Sequence, residues 1–141
     1  MADVDFKKLS ILVIEDEAFM RQLIGRVLRD LNITNIVNAE NGQDAFKKLK
    51  YEIKPDVILC DLEMPVMNGF EFISSLRNSD NVDQKDIPVL VLTGRKEEGN
   101  VREAIKLGVH GYLAKPISKL ALESKLVFAL TSPMIDPSVL D

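Results

Sequence analysis

The chain has 141 residues, 46% hydrophobic and 28% charged, with a formal net charge of −4, enough for one domain with a real core and few for two. The acidic balance without a basic tract argues against direct nucleic-acid binding, and no apolar run approaches the roughly 20 residues of a membrane span. The polar start lacks a signal-peptide stretch and the single Cys60 excludes an internal disulfide, so a reducing, cytoplasmic location is expected.

Short apolar runs alternate with longer amphipathic ones. Residues 9–14 read as a buried strand, followed by a helix over 19–31. Its apolar positions Met20, Leu23, Ile24, Val27, Leu28 and Leu31 follow the helical stripe. Residues 36–39 read as a second strand and 41–50 as a second helix, with Ala45, Phe46 and Leu49 inward and Lys47, Lys48 and Lys50 on a solvated face. After Pro55, residues 56–61 (DVILCD) are a buried strand, and Asn68-Gly69 opens a third helix with Phe70, Ile73 and Leu76 on one side. A polar loop covers 78–86. Residues 88–93 (PVLVLT) are the fourth strand and 97–107 the fourth helix, with Gly108 suited to its C-terminal cap. His110 starts a fifth strand ending at Ala114, and Ser118 suits the N-cap of a last helix reaching about residue 130. Residues 131–141 hold two prolines and are expected to fray as a short tail.

The order is (βα) five times. Strands apolar throughout and joined by helices form a parallel sheet covered on both faces. Right-handed crossovers then give an α/β, doubly wound, three-layer sandwich. In such sheets ligands sit beyond the carboxyl ends of the strands. Those ends carry Glu15-Asp16-Glu17, Asp61, Thr93-Gly94 and Lys115-Pro116. Carboxylates crowded together repel unless a cation joins them. An all-oxygen donor set favours Mg²⁺, with Mn²⁺ as an alternative. A lysine and a hydroxyl opposite a metal can hold phosphoryl oxygens, and a carboxylate can act as the nucleophile toward phosphorus. Asp61, alone at the end of a central strand, is the best candidate for that role.

Together, Glu15-Asp16 after ILVI, Asp61 in DVILCDLEMPVMNG, Thr93 in PVLVLTG and Lys115 in GYLAKP resemble the receiver domains of two-component response regulators. The resemblance is greatest to the single-domain chemotaxis (CheY-like) type and spans residues 9–130. It implies a flavodoxin-like sheet of order 2-1-3-4-5, a receiver domain over 1–130 and a tail over 131–141. It also implies that Asp61 is the phosphoacceptor and that Asp16, Asp61 and the Glu63 backbone carbonyl are direct metal ligands. Glu15 matches the position that reaches the metal through water. Thr93 and Lys115 resemble the hydroxyl and cation that engage the phosphoryl group, and Tyr112 the switch aromatic that turns inward when Thr93 moves. Lys115-Pro116 resembles a cis peptide bond. Glu15 departs from the aspartate of many members by one methylene. Glu63 and Arg95 hold variable positions at the entrance and are expected to tune the lifetime of the phosphorylated state.

The implied function is a signalling switch rather than a metabolic enzyme. A sensor histidine kinase or phosphotransfer protein supplies the phosphoryl group, and a downstream effector reads a surface built from the fourth helix, fifth strand and fifth helix. Arg102, Glu103 and Lys106 lie there, as docking residues or as a solvated face. Cys60 reads as an inert buried thiol and His110 as an ordinary strand residue. A Mg²⁺-dependent aspartyl-phosphate phosphatase is the enzyme alternative, and a degenerate scaffold the third. A start at Met1 favours an intact protein, with a receiver fragment of a larger regulator or hybrid kinase as the alternative.

Overall fold

The structure, a computed structural model, describes residues 4–94 and 98–140. The chain runs β1 (Ser10–Ile14), α1 (Ala18–Asp30), β2 (Asn35–Ala39), α2 (Gly42–Tyr51), β3 (Val57–Asp61), α3 (Gly69–Arg77), β4 (Val89–Thr93), α4 (Glu98–Leu107), β5 (Gly111–Ala114) and α5 (Lys119–Thr131). All neighbouring strands pair in parallel, in the order β2-β1-β3-β4-β5. This is the doubly wound topology expected from the alternating pattern. Among the described residues, no helix is long and apolar enough to cross a membrane.

The strands are apolar throughout because successive side chains serve opposite faces of the sheet. Leu12 and Ile14 of β1, Ile58 and Cys60 of β3, and Val89 and Val91 of β4 join one cluster with residues of α2, α3 and α4. Ile11, Val13, Val57, Leu59, Leu90 and Leu92 join the opposite cluster with α1 and α5. Burial pushes the Cys60 thiol pKa up, which leaves it an unreactive core residue.

Element boundaries lie within one or two residues of the sequence expectation. The predicted opening of the fourth helix at Glu97 lies outside the described residues. Asp56, expected to start β3, stands just before it. Its carboxylate accepts the Ser10 amide at 2.8 Å and its own amide donates to the Ser10 carbonyl, tying β3 to the start of β1. The inward face of α3 also differs. Phe72, Ile73 and Leu76 are buried, whereas Phe70 is only half-buried. The helix phase is fixed by Gly69 at its first position and by Phe72, whose ring lies 4.8 Å from that of Phe46. Asn68 and Glu71 form a reciprocal capping box at that helix start.

Two features hold the edge of the sheet opposite the carboxyl ends. Arg77, at the end of α3, donates to the carbonyls of Gly108, Lys85 and Ile87 at 2.8–2.9 Å. One guanidinium thus joins α3, the 78–86 loop and the α4–β5 turn, where Gly108 takes φ +109°. Burial, the larger influence, and the Arg77 charge push His110 down to about 4.

The second feature corrects an expectation: the tail does not fray. Ile135 donates to the Val109 carbonyl at 2.9 Å, and Ile135 and Leu140 pack against the core cluster beneath α4. The Arg102 guanidinium donates to the Leu140 carbonyl at 3.2 Å. Residues Pro137–Leu140 form a 3-10 turn, opened by the Asp136 carboxylate accepting the Ser138 amide. Apolar side chains at 134, 135 and 140 supply enough burial to order a segment whose prolines suggested a loose end.

Replacing Ile135 with Asp is expected to lower the unfolding free energy by about 1–2 kcal/mol, read by urea denaturation. A second test concerns pH. Unfolded His110 takes up a proton below about 6.5, whereas the folded residue resists until about 4. Its contribution is therefore full above pH 6.5 and lost as pH falls across that window, by up to about 3 kcal/mol. Denaturation at pH 7 and 4.5 should show the wild type losing more stability than His110→Phe over that interval.

Candidate functional site

β1 and β3 are neighbours at the centre of the sheet, with Ile14 opposite Cys60. The next residue on each strand is an acid, Glu15 and Asp61, so the two carboxylates emerge side by side at the carboxyl edge. Asp16 follows, and carboxylate oxygens of Glu15, Asp16 and Asp61 all lie within 4.8 Å of one another. Glu15 and Asp61 are buried and Asp16 is exposed. β5 brings in the counter-charge. The Lys115 ammonium lies 2.8 Å from Glu15 Oε1 and 3.3 Å from Asp61 Oδ2. The Lys115-Pro116 bond is cis, and the Lys115 amide donates to the Thr93 carbonyl at 2.7 Å.

The acids feel both burial and one another. Burial raises the Asp61 carboxyl above the usual aspartate range, with Lys115 and hydrogen bonds opposing it. Burial and then the neighbouring Glu15 raise Asp16. Burial works against the Lys115 charge, but its bonds to Glu15 and Asp61 outweigh that and hold its pKa above the ordinary lysine value. These are groups kept close at a cost in repulsion and desolvation, the pattern of a functional site.

Glu63 lies in the loop after β3, its side chain exposed and its amide donating to Asp61 Oδ1 at 3.4 Å. Thr93 is buried at the end of β4, its hydroxyl donating to the Leu113 carbonyl at 3.5 Å. Tyr112 lies at the surface. It is 44% exposed, with the Lys125 ammonium 5.3 Å from its ring centroid. The structure thus gathers Glu15, Asp16, Asp61 and Lys115 into one cluster, sets Glu63 and Thr93 beside it, and leaves Tyr112 on the surface. Arg95 lies outside the described residues.

Two contributors stand out beyond the strand-end residues, one of them unread in the sequence. Gly69 begins α3 against the acceptor strand. A Cβ there would stand 2.4 Å from the Asp61 carbonyl oxygen and 2.7 Å from Leu62 Cα, so only glycine lets the helix start so close. Arg21, in the first turn of α1, donates to the carbonyls of both Glu15 and Asp16. The Asn68-Gly69 signal was visible, as a helix start and as a resemblance to the turn beyond the acceptor. Arg21 gave no signal, because contact with a backbone carbonyl has no sequence pattern.

The donor set suits a hard divalent cation. It consists of carboxylate oxygens, with no imidazole or thiolate, and carries three acids against one lysine. Replacing Lys115 with Met is expected to lower the stability of the metal-free protein by about 3 kcal/mol, because the buried Glu15 loses its partner. Saturating Mg²⁺ should restore most of that loss; urea titrations with and without the ion check both halves.

The profile of the response regulator receiver domain matches residues 11–127. Chemotaxis protein CheY1 of Helicobacter pylori is 31% identical over 122 residues, covering 86% of this chain and 97% of that protein. Chemotaxis protein CheY-3 of Vibrio cholerae is 32% identical over 120 residues, covering 85% and 90%. Among solved structures, the chemotaxis response regulator CheY4 of Vibrio cholerae superposes with a TM-score of 0.75 at 30% identity, over 86% of this chain and 98% of that one. The receiver domain of a Pseudomonas aeruginosa sensor histidine kinase, with a magnesium ion coordinated in its active-site cleft, gives a TM-score of 0.76 at 26% identity over 88% and 98%. With its five-strand order and its acidic cluster at the carboxyl edge, the chain belongs to the response regulator receiver domain family.

Proposed function

We propose that the chain is a cytoplasmic, Mg²⁺-dependent phosphoacceptor whose receiver domain spans residues 1–130 and whose tail spans 131–141. The observation that carries this reading is the meeting of Glu15, Asp16 and Asp61 around Lys115 at the carboxyl edge of the sheet. A partner histidine kinase or phosphotransfer protein presents a phosphohistidine. An Asp61 carboxylate oxygen attacks its phosphorus in line; the P–O bond forms as the P–N bond breaks, and the imidazole leaves with that electron pair. The ion would be held by Asp16, Asp61 and the Glu63 carbonyl, with Glu15 reaching it through water, and would neutralise charge on the transferred group.

The chain's own residues do the rest. Lys115 exchanges a carboxylate partner for a phosphoryl oxygen, and Thr93 turns its hydroxyl from the Leu113 carbonyl toward the new group. Tyr112, now exposed, moves inward into the space Thr93 leaves. That shift in population changes the α4-β5-α5 surface that a downstream effector reads. Positioning and charge neutralisation account for the reaction, so the protein acts as a switch that catalyses its own modification.

Intact mass measured after incubation with acetyl phosphate, with and without Mg²⁺, tests the reading. Wild type is expected to gain one phosphoryl group only when Mg²⁺ is present, and Asp61→Asn to gain none. Metal-independent labelling, or equal labelling of Asp61→Asn, would remove Asp61 from the role.

A further inference from the structure

We propose that Arg21 is a positioning residue for this site, setting the geometry of the Glu15-Asp16 turn so that its carboxylates converge on the cation. The inference rests on the metal-dependent reading above and adds a residue that touches neither the ion nor the phosphoryl group.

Arg21 stands in the first turn of α1, its amide donating to the Glu17 carbonyl at 3.0 Å. A single guanidinium nitrogen, Nη1, donates to the Glu15 carbonyl at 2.8 Å and to the Asp16 carbonyl at 3.0 Å. Bridging two consecutive carbonyls fixes the orientation of both peptide planes, and with them the directions in which the two side chains leave the backbone. Those directions differ: Glu15 turns inward to Lys115, while Asp16 stays exposed. Yet both reach one cluster. Glu17 at the N-cap makes no side-chain capping bond to the helix; its amide donates to Glu15 Oε2 at 3.2 Å, so within this turn Arg21 is the side chain that holds the backbone carbonyls.

The other candidate role for Arg21 is an ion pair with Glu40. That contact is 4.0 Å long and the Glu40 side chain is 73% exposed, so it is solvated and weak. The short bonds are to the acidic turn. The guanidinium bonds to the carbonyls of this turn and leaves the oxygens of its carboxylates free. Lys115 differs in this respect, because it occupies the oxygens of Glu15 and Asp61 directly. The two cations therefore divide the work: Lys115 neutralises the acids, and Arg21 aims them. Groups that orient metal ligands in this way typically govern affinity by about 10- to 100-fold.

The test is Mg²⁺ titration by calorimetry on wild type, Arg21→Met and Arg21→Lys, with acetyl phosphate labelling rates at limiting and saturating Mg²⁺. Arg21→Met, which keeps the stem but not the donors, is expected to weaken Mg²⁺ binding by about 10-fold or more. Its labelling rate should fall at limiting Mg²⁺ and return to within about twofold of wild type at saturation, the signature of a binding effect. Arg21→Lys, which supplies a charge and one donor direction, should recover part of the affinity. Unchanged Mg²⁺ affinity in either folded variant would overturn the proposal, as would a rate loss that saturating Mg²⁺ does not repair. If Arg21→Met does not fold, Arg21→Lys alone decides between these outcomes. Wild type failing to bind Mg²⁺ or to accept a phosphoryl group would overturn the phosphoacceptor reading itself, which separates that failure from a failure of Arg21.

Discussion

Three carboxylates within 4.8 Å of one another repel, and the Lys115 ammonium at the buried edge of the sheet is the group that offsets the repulsion. The surrounding structure serves this arrangement. β5 must pair beside β4 for Lys115 to reach across to β3 and β1, and the Thr93 carbonyl anchors the Lys115 amide to the end of β4. α3 must begin hard against Asp61, which only Gly69 allows. Under the proposed function, the same lysine would exchange one of these acids for a phosphoryl oxygen, without a second cation entering the site.

A rigid scaffold makes so strained an electrostatic arrangement tolerable. Both faces of the sheet are buried, one beneath α1 and α5 and the other beneath α2, α3 and α4. Close packing on both sides lets the strand ends act as fixed mounts, and the chemistry sits on the short segments leaving them. The opposite edge is stabilised by different means. Arg77 satisfies three backbone carbonyls, and the tail lies over the start of β5 and along α4. The molecule thus has an edge where like charges are crowded and an edge tied down by backbone contacts.

Between these edges, β5 and α5 present large apolar side chains to solvent. Leu120 and Phe128 of α5 are exposed, as is Tyr112 of β5, over whose ring the Lys125 ammonium lies. α5 carries Lys119, Glu123, Ser124 and Lys125 among its apolar residues, and its buried face is supplied by Leu122, Leu126 and Ala129.

The sequence by itself determined the layered architecture, because strands buried on both faces must be apolar throughout and helices facing one side must show a stripe. It also determined which acids, hydroxyl and lysine end those strands, since position in the alternating pattern settles that. Tertiary structure alone decided how they pair. Whether Glu15 meets a water, a metal or Lys115 depends on distances across strands far apart in the chain, and Lys115 is 100 residues from Glu15. It also decided the phase of α3, where the burial of Phe72 rather than Phe70 follows from the close approach of Gly69 to Asp61. The docked tail and the brace at Arg21 were equally beyond reach of the pattern. A few apolar side chains finding a partner helix, and a guanidinium finding backbone carbonyls, are contacts that no local periodicity encodes.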